Sequence, residues 1–413
     1  MKLWCGVMLT ACWSGAAVAQ TSPLRNLDIF VGNVLSYDDN VFRTPDGVSR
    51  PGREGGDWII EPTVSVTYTR PLARGEVSLS ALVSYKFYTD NSQLNRENID
   101  LGARATTALS ICDVSPNVNF RRAQSDLSDI LDGVNYKNAE TRIRAGVGVL
   151  CGDNIGIRPG VEYQFENVTN SSPLREVSDY RRHTITGRIG YARPAFGMVS
   201  VYGRAALGTY PNRPTLGSGF PANDDIKTYS GGIAYQREIG TRLTGSVEVG
   251  YMKVKSRPSS IVGIPGTPGS SGLTYAGSLT YRGGDRISAT LDFGRDTQQS
   301  NLLGVDYSVQ TRFSGTLTYA LSQVISLNAN ATHTRRKFKG TSFVGFDPNN
   351  PTVPLPINIG SGDKTTQFGA GINFQSFRRL TFGLSGTHFI RNSPVPGLDY
   401  TANRVALTTG FRF

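Results

Sequence analysis

The sequence predicts an all-β protein: a single transmembrane antiparallel up-and-down β-barrel of about 18 strands over 20–413, preceded by a secretory signal peptide over 1–19. Three observations predict it. Apolar residues alternate with polar or small ones along segments long enough to cross a bilayer, for which about 9–11 tilted residues suffice. The connections alternate between short and mostly longer, as periplasmic turns and external loops do. Aromatic residues gather at segment ends, where amphipathic rings favour the two membrane interfaces.

Composition narrows the alternatives. The 413 residues include 47 Gly, 19 Phe and 18 Tyr but only 4 Met, 4 Cys and 3 His. That balance speaks against an all-α protein. At 38% hydrophobic residues, no stretch after Gln20 reaches eighteen apolar residues, so no helical span is expected. Three His leave little for a histidine-rich metal centre, and no cofactor is implied.

The first element is the leader. Met1-Lys2 is a short basic start, Leu3 to Val18 is apolar, and Ala17-Val18-Ala19 before Gln20 is the small-x-small pattern of a cleavage site. Leu9-Thr10-Ala11-Cys12 fits a lipoprotein box as a rival, but the apolar core before it is very short. Beyond the leader only Cys112 and Cys151 remain. They fall at successive short turns, and an even pair in an exported chain reads as a possible disulfide.

The strands follow in order at approximately 27–37, 58–70, 76–89, 98–111, 115–123, 140–151, 155–167, 181–192, 198–210, 226–237, 242–255, 272–282, 286–297, 304–319, 324–338, 363–376, 380–391 and 400–413. In Leu243–Tyr251, Leu243, Val247, Val249 and Tyr251 share one face, while Thr244, Ser246 and Glu248 share the other. Alternation puts the two sets on opposite sides of a strand. Tyr37, Trp58, Tyr229, Tyr251, Tyr275 and Tyr307 fall near the long-loop ends; Tyr68, Tyr191, Tyr235, Tyr281, Tyr319 and Phe413 fall near the short turns. The connection 339–362, with Pro348, Pro351, Pro354 and Pro356, is expected either to fold inward as a constriction or to cover the mouth.

An open sheet in lipid leaves edge N–H and C=O groups unpaired, at several kcal/mol each. The sheet is therefore expected to close with an even strand count and both ends in the periplasm of a Gram-negative cell. The last strand ends on Phe411 and Phe413 of one alternating face, which resembles the signal that outer-membrane proteins present to the barrel-assembly machinery.

The segment Tyr37-Asp38-Asp39-Asn40-Val41-Phe42-Arg43 closes the first strand. With its barrel pattern, the chain resembles the putative beta-barrel porin 2 family, which includes outer-membrane barrels of exopolysaccharide and capsule operons. The resemblance implies an 18-strand barrel that exports polysaccharide, with a periplasmic polysaccharide-export protein as partner. Asp38, Asp39 and Asn40 could bind a cation or a sugar hydroxyl, or fix the loop by side-chain to backbone hydrogen bonds as Asx turns do.

Parity assigns Arg104, Arg121, Arg142, Arg144, Arg158, Glu162, Arg188, Arg204, Glu248, Arg312 and Arg404 to the lumen, and we take these as the candidate substrate path. Amides accompany them: Asn117, Asn119, Gln164, Gln310, Asn328, Asn330, Gln367, Asn373 and Gln375. An 18-strand barrel is wide enough for an aqueous channel. Arginines attract anions and amides hydrogen-bond sugar hydroxyls, so the wall suits an acidic polysaccharide or small anions. The bland reading is that arginine–carboxylate networks only fill and stiffen the wall. The net charge is +11, from 43 Lys+Arg against 32 Asp+Glu. The cations are spread over strands and external loops, which suits lipopolysaccharide and outer-membrane lipid better than nucleic acid.

An enzyme is not expected. His183, His333 and His388 share parity with apolar residues on the outward face, away from the lumen. The leading expectation is the exit channel for a secreted polysaccharide. The alternatives are a diffusion or substrate-selective porin for small anions or sugars, and a structural or adhesive barrel with a plugged lumen.

Overall fold

The computed structural model describes residues 26–45, 55–125, 138–212, 225–256, 269–299, 307–339, 343–347, 350–357, 362–376, 379–394 and 399–413. The expected signal peptide lies outside the described residues. No described helix is long and apolar enough to cross a membrane.

The alternating segments fold as strands β1 (Leu27–Asp38), β2 (Asp57–Leu72), β3 (Gly75–Tyr88), β4 (Arg96–Leu109), β5 (Cys112–Gln124), β6 (Ala139–Cys151), β7 (Gly156–Asn170), β8 (Tyr180–Arg193), β9 (Gly197–Thr209) and β10 (Ile226–Ile239). The second half contributes β11 (Leu243–Ser256), β12 (Ser270–Gly283), β13 (Ile287–Gln299), β14 (Tyr307–Ala320), β15 (Ile325–Lys339), β16 (Phe343–Asp347), β17 (Asn350–Ile357), β18 (Gly362–Gln375), β19 (Leu380–Asn392) and β20 (Tyr400–Arg412). Every barrel strand ends within three residues of its predicted segment. Eighteen strands form one antiparallel sheet in which each pairs with its chain neighbours. β1 also pairs with β20, from Phe30 opposite Arg412 to Asp38 opposite Arg404, so the sheet closes on itself. All ladder hydrogen bonds are thereby made within the wall, as a bilayer demands.

β16 and β17 are a departure from expectation. They form a separate two-stranded sheet inside the connection expected to be a loop, and β15 pairs directly with β18. Proline removes a ladder donor, yet an edge strand needs only half its groups paired. That leaves room for Pro351, Pro354 and Pro356 in β17.

Burial is inverted relative to a soluble protein. Leu101, Val118, Val147, Val161, Ile185, Ile233, Leu291 and Leu407 are all exposed on the outer face. Because residues directly opposite share a face, the register carries that face around the wall, as in Leu101–Phe120 and Ile233–Val201. At the short-turn rim Cys112 stands opposite Cys151, and the two are joined in a disulfide. The next residue, Gly152, has φ +101°, and a Cβ there would lie 2.6 Å from the Ile157 carbonyl oxygen, so the turn needs glycine.

Tyr307 corrects one expectation. Expected in an interfacial aromatic belt from its place at a long-loop end, it is 1% exposed and packed in a buried apolar cluster.

Candidate functional site: the lumen

Cross-strand register places the predicted arginines on the lumen face. Arg121 lies opposite Arg142, Asn119 opposite Arg144, Arg144 opposite Glu166, and Arg204 opposite Thr186. Several are ion-paired to neighbouring strands. Arg144 Nη2 is 2.7 Å from Glu166 Oε1, Arg142 Nη2 is 2.8 Å from Glu140 Oε1, and Arg204 Nη2 is 3.2 Å from Glu248 Oε1. Arg158 reaches Asp113 at 3.1 Å, Arg188 reaches Glu162 at 3.6 Å, and Arg404 reaches Glu61 at 3.9 Å. Arg104, Arg121 and Arg312 make no ion pair with any described residue.

The charge is unevenly placed around the wall. Successive strands β4 to β9 carry Arg104, Arg121, Arg142, Arg144, Arg158, Arg182, Arg188 and Arg204 on the lumen face, against Asp100, Asp113, Glu140, Glu162 and Glu166. The opposite wall, on β14, β15, β18 and β19, carries Arg312 and, at the long-loop end, the Arg336–Asp363–Arg391 group, and is otherwise neutral: Gln310, Ser314, Thr316, Asn328, Asn330, Thr332, Gln367, Asn373 and Thr387. Its amides lie over glycines. A Cβ on Gly369 would sit 2.4 Å from Asn330 Oδ1, one on Gly371 2.7 Å from Asn328 Oδ1, and one on Gly383 2.8 Å from Asn373 Oδ1. Glycine thus lets the amides lie flat along the wall.

Two features of the long-loop end were missed by parity. Asp363 is bracketed by Arg336, with Nε at 2.8 Å, and Arg391, with Nη2 at 2.6 Å, and the Asp363 and Arg391 side chains are fully buried. The second feature is a tongue. β12 and β13 pair from Gly283–Ile287 only as far as Tyr275–Arg295, whereas β13 and β14 stay paired to Gln299–Tyr307. Beyond Arg295 the hairpin parts from β12, while β14 stays paired with β15 as far as Tyr307–Lys339. Gln299 Oε1 accepts a hydrogen bond from Arg182 Nη1 at 3.3 Å, and a Cβ on Gly208 would lie 2.4 Å from Gln299 Nε2. Gly208 belongs to β9, four strands from β13, which is roughly 19 Å along a wall with about 4.8 Å between strands. Such contact requires the tip to lie inside the lumen. There Tyr307 and Val309 pack with Val168, Tyr180, Tyr210, Ile226, Met252 and Val254 in one buried apolar cluster.

The Tyr37–Arg43 segment is a clasp at the closing seam. Arg43 donates to both carboxylate oxygens of Asp38, each at 2.8 Å, and its guanidinium lies over the rings of Phe389 and Tyr400. The Asn40 side chain donates to the Thr44 and Thr401 carbonyls and accepts from the Thr44 N–H. Asp39 accepts from the Asn403 N–H and Nδ2, both at 2.7 Å. Val41 and Phe42 are buried with Ile59 and Leu94, and Tyr37 packs on Trp58 with ring centroids 5.3 Å apart. The polar side chains the sequence offered to a cation or sugar are thus engaged within the chain.

Phe411 and Phe413 are exposed on the outer face, and the Phe413 N–H donates to the Ile29 carbonyl at 2.8 Å. His183, His333 and His388 also lie outside, with Nδ1 within hydrogen-bond distance of Tyr163, Thr366 and Asn403 respectively. Among the described residues no three metal-binding side chains converge.

The sequence pattern of the Putative beta-barrel porin 2 family matches residues 159–413. The chain belongs to that family. The matched span contains β8 to β20 and most of β7, but not the Tyr37–Arg43 clasp on which the resemblance was read. The protein is therefore a porin-like outer-membrane barrel. No curated protein matches it in sequence. Several solved barrels resemble it in shape. Pseudomonas aeruginosa OccK2 (OpdF) in complex with glucuronate is 8% identical with a TM-score of 0.42, over 94% of this chain and 98% of its own. P. aeruginosa OpdK with vanillate is 11% identical with a TM-score of 0.41, over 94% and 100%. A BenF-like porin from Pseudomonas fluorescens Pf-5 is 10% identical with a TM-score of 0.42, over 94% and 98%.

Proposed function

We propose that this porin-family barrel is an anion-preferring conduit giving a secreted acidic polysaccharide its way out of the cell. The observation that carries the reading is the arginine excess on β4–β9, where Arg121 stands between Asp100 of β4 and Arg142 of β6 and Arg104 has no charged residue opposite it on β3 or β5. The like-charge contact with Arg142 costs about as much as the Asp100 contact contributes, each about 0.2–1 kcal/mol, so the arginine excess adds little to the wall itself. It suits an anion in the lumen, since arginine rings attract anions in pores. The hydroxyls and amides across from it suit the neutral face of a saccharide. The cargo is bound weakly and undergoes no chemistry. On the short-turn side, taken as periplasmic, the partner is a polysaccharide-export protein.

A second reading, a selective porin for small anionic sugars, is favoured by the tongue, because a hairpin lying in the long-loop end narrows the path for a polymer. The test uses purified protein in planar bilayers. Anion selectivity is expected in a salt gradient, with block by an oligouronate stronger than block by a neutral oligosaccharide of equal length. Arg104→Gln reduces both without removing a cation opposite a carboxylate, and Arg121→Gln added to it reduces them further. Cation selectivity, or equal block by the two oligosaccharides, refutes the anion path. A gene deletion that lowers anion uptake and leaves secreted polysaccharide unchanged decides for the small-anion porin.

A further inference from the structure

The outer face carries two groups of cations at the long-loop end that nothing in the lumen reading uses. On β10 and β11, Lys227 lies directly opposite Lys255, and Lys253 lies opposite Tyr229. On β15 and β18, Arg335 lies directly opposite Lys364, with Lys337 two residues further along β15. All six side chains are exposed. None makes an ion pair with a described residue; the Lys255 ammonium only rests over the Tyr229 ring, 5.8 Å from its centroid.

Like charges in register are unfavourable by about 0.2–1 kcal/mol per pair, and both groups contain such a pair. No described residue supplies the neutralising charge, which leaves a ligand outside the wall to supply it. The height of the groups says from where. Tyr229 and Tyr251 are exposed beside or just below the first, and His333 and Phe368 just below the second. Amphipathic rings mark the level of the lipid headgroups. Cations beyond them, on stems long enough to snorkel, reach the phosphate layer. The two groups lie five strands apart on the wall, roughly 24 Å at about 4.8 Å per strand, so each is a separate site.

We propose that Lys227, Lys253 and Lys255 form one binding site, and Arg335, Lys337 and Lys364 another, for the phosphate groups of a phosphorylated glycolipid in the outer leaflet. Three cations within two strands suit a headgroup bearing more than one phosphate, which a single-phosphate phospholipid matches less well. The proposal fixes the long-loop end as the cell-exterior end and is independent of what passes through the lumen.

Native mass spectrometry of the purified full-length protein in detergent tests it, with bis-phosphorylated lipid A, its dephosphorylated form and phosphatidylglycerol as probes. The parent retains two bis-phosphorylated lipids at concentrations at which the other two probes bind at least tenfold more weakly. Replacing Lys227, Lys253 and Lys255 with Gln removes one bound lipid, and replacing Arg335, Lys337 and Lys364 with Gln removes the other. A Lys227→Arg, Lys253→Arg, Lys255→Arg variant keeps the first, separating charge from fold. Equal binding of dephosphorylated lipid A, or retention of both lipids by the six-fold Gln variant, overturns the proposal and leaves the groups as solvated cations only.

Discussion

The inward tongue makes a sharp prediction about its own seat. Tyr307 is 1% exposed and Met252, against which its cluster packs, is also 1% exposed. Replacing a fully buried aromatic residue with Ala typically costs 3–5 kcal/mol. Tyr307 sits where the hairpin has parted from β12, and removing its ring leaves its backbone pairing with Lys339 of β15 in place, so the loss falls on the contact between tongue and wall. At about 1.4 kcal/mol per tenfold, a loss of about 3 kcal/mol raises the unseated population roughly 100-fold. Gln299→Cys reports that population, because its side chain is pinned between Arg182 and Gly208 in the seated form. Cys112 and Cys151 are joined in the disulfide, so they do not compete for the reagent. The assay is the rate of labelling by a charged thiol reagent in the folded, detergent-solubilised barrel. Labelling of Gln299→Cys is expected to be slow, and faster by about two orders of magnitude with Tyr307→Ala added. If both variants label equally fast, the tip is not held by this cluster and the tongue reading fails.

Three other outcomes follow from the geometry. Replacing Cys112 and Cys151 with Ser removes a closure across 39 residues, worth about 4 kcal/mol in the chain-entropy treatment; unfolding in urea should shift accordingly, and an unchanged midpoint would show that the β5–β6 ladder alone fixes this rim. Arg43→Ala leaves the Asp38 carboxylate buried without its bidentate partner, a change of about 3–5 kcal/mol, read as a lower temperature for loss of the heat-resistant folded band on gels, with Asp38→Asn in the same background restoring part of it. Deleting Phe413 removes the exposed terminal ring and the closing Phe413–Ile29 hydrogen bonds, and folded barrel in the outer membrane should fall severalfold by immunoblot; normal levels would remove the terminal Phe from the assembly signal.

The wall was legible because a strand crossing a bilayer must alternate, and because each short turn resets the pattern within a few residues. Register then followed without being read: once Leu243, Val247 and Val249 face lipid, Glu248 has only the lumen to face. The tongue was not legible for the same reason. Alternation records which way a side chain points from its own strand, and it continues unchanged through Asp296–Gln299 and Tyr307–Gln310 while the hairpin parts from β12. The only trace is Tyr307 and Val309, apolar on the outer parity, where lipid and protein interior ask for the same residue types. The β16–β17 hairpin escaped because prolines read as loop, although a two-stranded sheet leaves each strand an unpaired edge. Arg336 was grouped with the cations of the external loops, and Arg182 and Arg391 were left out of the lumen set, although the parity of all three points inward. The motif was visible as a motif, but its role was not: Asp39 acts through Asn403, more than three hundred residues away, and no spacing in the sequence encodes that seam.

The uneven lumen has a mechanical consequence. Cations along β4–β9 facing a mostly neutral wall produce a field that runs across the barrel as well as along it. An anion inside is drawn sideways before it is drawn forwards, and it loses one dimension of wandering. Under the reading proposed above, a charged chain threading the barrel would be held to a single track along β4–β9. In charge, the lumen is a half-pipe.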